Sequence, residues 1–371
     1  MNFNLRTLIL ILNGIALLGT QTYGQIKNQA KSPNEYQFTI ENSIPATPVK
    51  DQHKTNTCWS YATISFIESE LLRTGKGEYN LSEMYFVRKA YELKAEKYVR
   101  LHGEGTFGPG GLALDVMHIW KQFGMVPDVN YNGQQPGDSL PVHGEVDAVL
   151  KGYVDQVIKN PNGTLSQVWN IGFNGILDAY FGQVPPEFSY QGKSYTPLLF
   201  GGGLGLDPSD YVALGSYTHH PFYESFIIEI PDNWIWGSIQ NVPLNELMAL
   251  LDQALEGGYT VCWDTDVGEK SYNWKNGIAL SPSNDNMITQ DIRQEMFDSY
   301  QTTDDHLMHI TGTAKDQWGN KYYLVKNSWG DSDHIYKGYH FVSEAYMRAK
   351  TIFFMVHKDA IPESTASALG L

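Results

Sequence analysis

The sequence predicts an α+β fold, because helical patterns fill its first half and strand patterns fill its second half. Apolar residues recur at helical spacing over 58–75, 82–101 and 112–123. From residue 306 onwards, apolar runs separated by turns are typical of strands. Hydrophobic residues make up 42% of the 371-residue chain, which is enough for a substantial core and excludes a disordered protein.

The first predicted helix begins at Cys58, because Thr57 before it is a common N-cap residue and Gly75 can end it. The second covers 82 to about 101, and the third covers 112–123. Each of these segments ends where the apolar spacing stops. Together they predict a helical subdomain over about 58–125.

Two later segments also have helical patterns. Residues 150–181 are expected to be helical in part, with breaks at 161–163 and again near Gly172 and Gly175. An amphipathic helix is expected over 243–256. The predicted strands that follow cover 259–263, 308–314, 321–326, 338–342 and 352–356.

Composition excludes several classes of function. The chain has 26 Lys and Arg against 41 Asp and Glu, a net charge of -15, so its surface repels nucleic acid. Two cysteines are too few for a disulfide scaffold or a multi-cysteine zinc module. The pair His219-His220 is expected to bind no metal, because adjacent side chains in a strand point to opposite faces. No cofactor is expected.

The first 24 residues have the pattern of a secretory signal peptide. Arg6 supplies the positive charge, residues 8–18 are largely apolar, and Thr22 and Gly24 are small residues near the cleavage point. The apolar run is too short to span a bilayer, so no stable membrane anchor is expected. The sequence therefore predicts an exported protein, periplasmic or secreted, that begins at Gln25.

Cys58 is a candidate nucleophile because it stands at the start of a predicted helix. Free backbone N–H groups and the helix dipole at this end lower the pKa of a thiol, and the thiolate is the reactive form. A buried, unreactive thiol is the alternative for a single cysteine. The second cysteine, Cys262, lies in an apolar strand and is expected to be buried.

Further candidates appear in a fixed order along the chain: Gln52, then Cys58-Trp59, then His309, and finally Asn327 with Trp329. This order resembles that of papain-like cysteine peptidases. The imidazole of His309 would take the thiol proton, and Asn327 would orient the ring. Trp329 would shield that hydrogen bond from water.

In this scheme Gln52 would donate to the oxyanion beside the backbone N–H of Cys58. The local strings are similar to those of the bleomycin hydrolase and aminopeptidase C branch. They are Cys58-Trp59, Leu81-Ser82-Glu83, Gly110-Gly111, 123–127 and 264–268.

This resemblance implies a single peptidase domain over 25–371, with the active site in a cleft between two subdomains. The β-rich subdomain would cover about 231–360, and an insertion over about 130–230 would surround the cleft. The tail over 361–371 would lie in the cleft and meet the substrate amine with its terminal carboxylate. The resemblance also implies aminopeptidase action on peptide substrates and assembly into a homo-oligomer.

Three other functions stay open at this stage. The same site would serve an endopeptidase. A transglutaminase-like transferase shares the cysteine and histidine but usually has Asp where this chain has Asn327. A non-catalytic peptide-binding protein on the same fold is the third, and the retention of all four site residues argues against it.

Overall fold

The computed structural model of the chain describes residues 35–134, 140–282, 287–332 and 334–371. The predicted signal peptide over 1–24 lies outside these ranges. In the described residues, no helix is both long enough and apolar enough to cross a membrane.

The described residues form ten helices, and the four longest of them lie in the first half of the chain. The ten helices are α1 (Cys58–Arg73), α2 (Glu83–Arg100), α3 (Ala113–Phe123), α4 (Gly144–Ile158), α5 (Val168–Phe181), α6 (Pro197–Gly203), α7 (Leu244–Glu256), α8 (Gln290–Asp298), α9 (Glu344–Lys350) and α10 (Glu363–Leu369).

The strands lie mostly in the second half. They are β1 (Phe38–Ser43), β2 (Phe188–Tyr190), β3 (Lys193–Tyr195), β4 (Tyr211–Gly215), β5 (Ser225–Ile227), β6 (Ser238–Asn241), β7 (Val261–Thr265), β8 (Tyr272–Asn273), β9 (Ile278–Ala279), β10 (His306–Asp316), β11 (Lys321–Lys326), β12 (Tyr339–Ser343) and β13 (Thr351–His357).

One large sheet organises the second half of the molecule. In the described residues its strand order is β5-β6-β4-β13-β7-β10-β11-β12-β9-β8. The long strand β10 is central: its first half pairs with β7, its second half pairs with β1, and β11 runs along its other side. The strands β2 and β3 form a separate hairpin.

Helix α1 is the core element that connects the two halves. Its residues from Trp59 to Leu71 are all buried, and it packs against α2, α3 and β10. Because α1 is buried on every side, its side chains are apolar or hydrogen-bonded in all directions. Its apolar residues therefore do not form a single stripe along one face. This packing brings the first residue of α1 close to the first residues of β10.

The predictions for α1, α2, α3, α7 and β11 are confirmed, to within one residue at their starts. The predicted breaks near Gly172 and Gly175 are wrong, because both residues lie inside the continuous helix α5. There the cost of glycine within a helix, about 1 kcal/mol, is outweighed by burial of the Phe173 and Leu177 side chains.

The segment 130–230 is not a single insertion in the structure. Helices α4, α5 and α6 extend the helical half and pack against α2 and α3. Strands β4 and β5, which end the segment, belong to the large sheet instead. The β-rich half therefore begins near residue 211 rather than 231.

The C-terminal tail also differs from the expectation that it lies in the cleft. It forms helix α10, whose Thr365 hydroxyl donates to a Glu246 carboxylate oxygen at 2.7 Å. Leu369 and Ile361 are buried in the same apolar cluster as Leu247 of α7. The tail is thus packed on the α7 side of the sheet, because apolar side chains spaced along it have a hydrophobic surface to cover.

Candidate active site

Cys58 is the first residue of α1, as the sequence predicts, and its thiol is half-buried. Burial raises the pKa of the thiol to about 12. The backbone N–H groups of Leu307 and Trp59 act in the opposite direction and lower that pKa, while the carboxyls of Asp304 and Asp264 raise it further. The thiol therefore stays protonated until a neighbouring base removes the proton.

The base that the structure brings to this position is His306, the first residue of β10. It directly precedes Leu307, whose N–H faces the thiol. The Nε2 atom of His306 donates to Oδ1 of Asn327 at 2.8 Å. Because Nε2 carries the proton in this bond, Nδ1 is the basic atom of the ring.

The His306 ring is held in place from a second direction as well. It packs on the indole of Trp329 with ring centroids 4.6 Å apart. Burial lowers the pKa of His306 to about 4, although the bond to Asn327 raises it. The imidazole is therefore neutral at pH 7 and ready to accept a proton.

The expectation that Asn327 orients His309 is not met in this geometry. His309 is fully buried, and its Nδ1 atom lies 2.9 Å from the Ser65 hydroxyl in the middle of α1. Its Nε2 atom has no hydrogen-bond partner among the residues that the structure describes. Burial, together with the charge of Lys326, lowers the pKa of His309 well below its usual value.

The physical reason is the alternation of side chains along a strand. Residues three apart in a strand point to opposite faces, so His306 and His309 cannot share a face. His309 faces α1, where its ring meets Phe66 edge-on. The sequence does indicate that His306 is the first residue of the strand, because the polar run over 302–305 ends directly before it.

Gln52 lies beside the segment that carries Asn327. Its backbone N–H donates to the Ser328 carbonyl at 2.8 Å, and the Ser328 hydroxyl donates to Gln52 Oε1 at 2.6 Å. The amide oxygen is thereby occupied, which leaves the amide NH₂ as the free donor of this side chain. Ser328 was not singled out from the sequence, because a serine after Asn327 carries no distinctive pattern.

Trp59, the residue after Cys58, is buried and fixes the wall of the site. Its indole N–H donates to the Pro109 carbonyl at 2.9 Å. Gly111 lies so close to this indole that a Cβ atom there would be 3.0 Å from Trp59 Cε2. Gly111 is thus needed for close packing of the loop on Trp59.

The structure also brings together one set of metal-ligand types. His219 and His220 both contact Glu229, at 3.3 and 2.7 Å, and the three ligand atoms lie within 4.8 Å of one another. The expectation that the two rings diverge is wrong, because this segment is a turn rather than a strand. His219 also bonds Gln294 at 2.9 Å, and His220 stacks on Phe226, so protein groups already hold both rings.

The chain is similar to known peptidases. Residues 189–370 match the Peptidase C1-like family. Aminopeptidase E of Lactobacillus helveticus is 24% identical over 378 residues, which span 88% of this chain and 84% of that protein. Aminopeptidase C of the same organism is 24% identical over 187 residues, or 47% of this chain and 41% of that protein.

The fold is shared with a solved structure, that of PepW from Lactobacillus rhamnosis. The two superpose with a TM-score of 0.70 at 18% identity, over 90% of this chain and 84% of the other. The α+β papain-like fold that the sequence predicts is therefore confirmed. The two subdomains meet where α1 and β10 begin, which is where the candidate site lies.

Proposed function

Because the chain is a papain-like cysteine peptidase, we propose that it is an aminopeptidase that hydrolyses peptide bonds through a thioester on Cys58. Aminopeptidases E and C, the relatives named above, support removal of residues from a free N-terminus. The observation that carries the proposal is the 2.8 Å bond between His306 and Asn327, because Leu307, the next residue after His306, faces the Cys58 thiol with its backbone N–H.

In this mechanism Cys58 is the nucleophile and His306 is the base. The Cys58 Sγ atom bonds to the scissile carbonyl carbon while the thiol proton passes to His306 Nδ1. The imidazolium then gives this proton to the leaving amine as the C–N bond breaks, and a thioester remains. Water, deprotonated by the same ring, attacks the thioester and releases the acid and the thiol.

Asn327 and Gln52 have supporting roles. Asn327 accepts from Nε2 and so keeps the His306 ring in the tautomer with a basic Nδ1. The oxyanion that forms during attack is stabilised by the backbone N–H of Cys58 and by the amide NH₂ of Gln52. The Ser328 hydroxyl donates to the oxygen of the Gln52 amide, and this bond keeps the NH₂ group pointing away from Ser328.

A library of peptides with free and N-acetylated termini tests the activity. An aminopeptidase releases single residues from free termini only, whereas an endopeptidase cuts internal bonds in both sets. Covalent labelling of Cys58 by an epoxide inhibitor separates either enzyme from a non-catalytic binding protein. Absence of both cleavage and labelling would contradict the proposal.

We also propose that the protein is exported and self-associates, as expected from its sequence. The basic and apolar pattern of residues 1–24 supports cleavage after Gly24. The strings around Cys58 and Asp264 support the bleomycin hydrolase branch. N-terminal sequencing of the native protein and light scattering of the purified protein test these points. An intact Met1 and a monomeric mass would contradict them.

A further inference from the structure

Two carboxyls lie on the wall of the site next to the nucleophile. Asp264 in β7 pairs directly with Leu307 in β10, the residue whose N–H faces the Cys58 thiol. Asp304 precedes β10 by two residues and lies against Asp264. The negative charges of both residues raise the pKa of Cys58, so both are close enough to act on a group bound at the thiol.

Asp264 is buried without a compensating partner. Its side chain is 0% exposed, and among the described residues its carboxyl has no hydrogen-bond partner other than the carboxyl of Asp304. The polar group next to it is the carboxyl of Asp304, another acid. An uncompensated buried carboxylate is costly, so burial together with Asp304 raises the pKa of Asp264 well above the usual range, and the group ionises only when a cation approaches and lowers that pKa.

Asp266, two residues further along, shows what a structural carboxylate looks like in the same place. It accepts from the backbone N–H groups of Gly268 and Thr303, at 2.7 and 3.0 Å, and lies 3.4 Å from Lys350. Backbone N–H groups and Lys350 thus stabilise the carboxylate of Asp266 at the end of β7. Among the described residues, Asp264 has no such donor or cation.

A third carboxyl reaches the same wall from a different part of the chain. Asp232 lies on the loop between β5 and β6, and its charge raises the pKa of both Asp304 and Asp264. A Cβ atom on Gly110 would be within 1.9 Å of the Asp232 carboxylate, so the loop is pressed against the Gly110-Gly111 string. Trp234 secures it by donating to Asp115 at 2.5 Å.

Within the ranges that the structure describes, none of these three acids has an ion-pair partner. The described lysine, arginine and histidine side chains all lie more than 4 Å from the carboxylates of Asp232, Asp264 and Asp304. Lys94 is the nearest positive charge that acts on Asp232, and its ammonium is engaged by the carbonyls of Gly108 and Gly110. The carboxyls of Asp232, Asp264 and Asp304 thus form an acidic wall, which is complementary to a cation that is supplied from outside the chain.

We propose that Asp264, Asp304 and Asp232 bind the free α-ammonium of the peptide substrate and so restrict this enzyme to N-terminal residues. The inference rests on the proposed aminopeptidase function. When one residue is removed, the amine nitrogen is only about 2.5 Å from the carbonyl carbon that the thiol attacks. The counter-charge must therefore be next to the nucleophile, which is where these carboxyls lie.

The position of the C-terminus strengthens this assignment. The terminal carboxylate is the group expected to meet the amine if the tail lies in the cleft. In the structure the tail is helix α10, packed on α7 through Thr365 and Leu369. Amine recognition then needs another source of negative charge, and the acidic wall supplies it with charge-assisted hydrogen bonds.

The test compares Asp264→Asn and Asp304→Asn with the unaltered enzyme on aminoacyl and N-acetyl-aminoacyl coumarin amides. Each variant is expected to lower the ratio of kcat/KM for free over acetylated substrate by about tenfold or more, mainly through KM. Asp291→Asn, an exposed acid at the start of α8, is the matched control and should keep the ratio.

Three outcomes separate the possibilities. Variants that keep the full preference for a free amine would overturn the inference and leave the peptidase assignment intact. An unaltered enzyme that cleaves neither substrate would instead contradict the proposed function. Loss of the preference on treatment with EDTA would show that the wall binds a divalent cation, and this too would overturn the inference. Labelling of Cys58 by iodoacetamide in each variant confirms that the site is folded.

Discussion

The Nε2 atom of His306 lies 2.8 Å from the Oδ1 atom of Asn327, and this one bond identifies which histidine of β10 belongs to the site. It joins the first residue of β10 to the residue that follows β11. It also fixes the ring so that the other nitrogen is basic. Cys58 at the start of α1 is the group that this nitrogen serves.

Removal of the nucleophile should abolish hydrolysis. Cys58→Ala is expected to lower kcat/KM on an aminoacyl coumarin amide by several orders of magnitude, because no other group forms the thioester. Cys262→Ser is the matched control, since Cys262 is buried in β7 and its Sγ atom lies 3.5 Å from the Thr63 hydroxyl. Equal activity of the Cys58 variant and the unaltered enzyme would disprove the mechanism.

Loss of the orienting amide should be less damaging than loss of the base. Asn327→Ala removes the partner of His306 Nε2 but leaves the ring stacked on Trp329, so measurable turnover should remain. His306→Ala removes both proton transfers and should retain much less activity. Steady-state kinetics of the two purified variants decide the order, and the reverse order would refute these roles.

The reaction of Cys58 with iodoacetamide should depend on pH in a defined way. His306 must be neutral to take the thiol proton, and burial lowers its pKa to about 4. The rate should therefore persist as the pH falls from 7 to 5 and decline only near 4, as His306 becomes protonated. An acid limb near 6.5, the ordinary value for histidine, would contradict the buried setting of the ring.

Deletion of the tail should affect stability rather than specificity. Removing residues 366–371 uncovers apolar surface on α7 that Leu369 covers, at a cost of about 2–3 kcal/mol in the free energy of unfolding. The preference for a free amine should be unchanged. Chemical denaturation and the two coumarin substrates measure these effects. Cleavage of internal peptide bonds by the shortened enzyme would contradict this prediction and indicate that the tail lies in the cleft.

Much of this architecture is readable from the sequence, because local patterns determine it. The start of α1 at Cys58 lies where the sequence predicts it, although the Thr57 side chain makes no capping hydrogen bond, and β11 follows from its apolar run and the turn before it. The order of Gln52, Cys58 and Asn327 along the chain is enough to make them candidate site residues. None of these inferences requires knowledge of which residues meet in space.

The remaining features depend on register and on long-range packing. The choice between His306 and His309 turns on where β10 begins, and a shift of one residue reverses the face of every side chain. The acidic wall joins β7, β10 and the loop that carries Asp232, which are separated by many residues. Helix α10 was missed because a short, weakly polar tail gains its helical structure only from contact with α7.

The identity of the general base is the central claim, and a pair of alanine variants tests it most directly. His306→Ala should lower kcat on a free-amine substrate by roughly 10²–10⁴-fold with little change in thermal stability. His309→Ala should keep kcat within a few-fold but lose about 2–4 kcal/mol of stability, because it leaves a cavity beneath α1 and removes the hydrogen bond between His309 and Ser65. If His309→Ala is the inactive variant and His306→Ala turns over normally, the account is wrong.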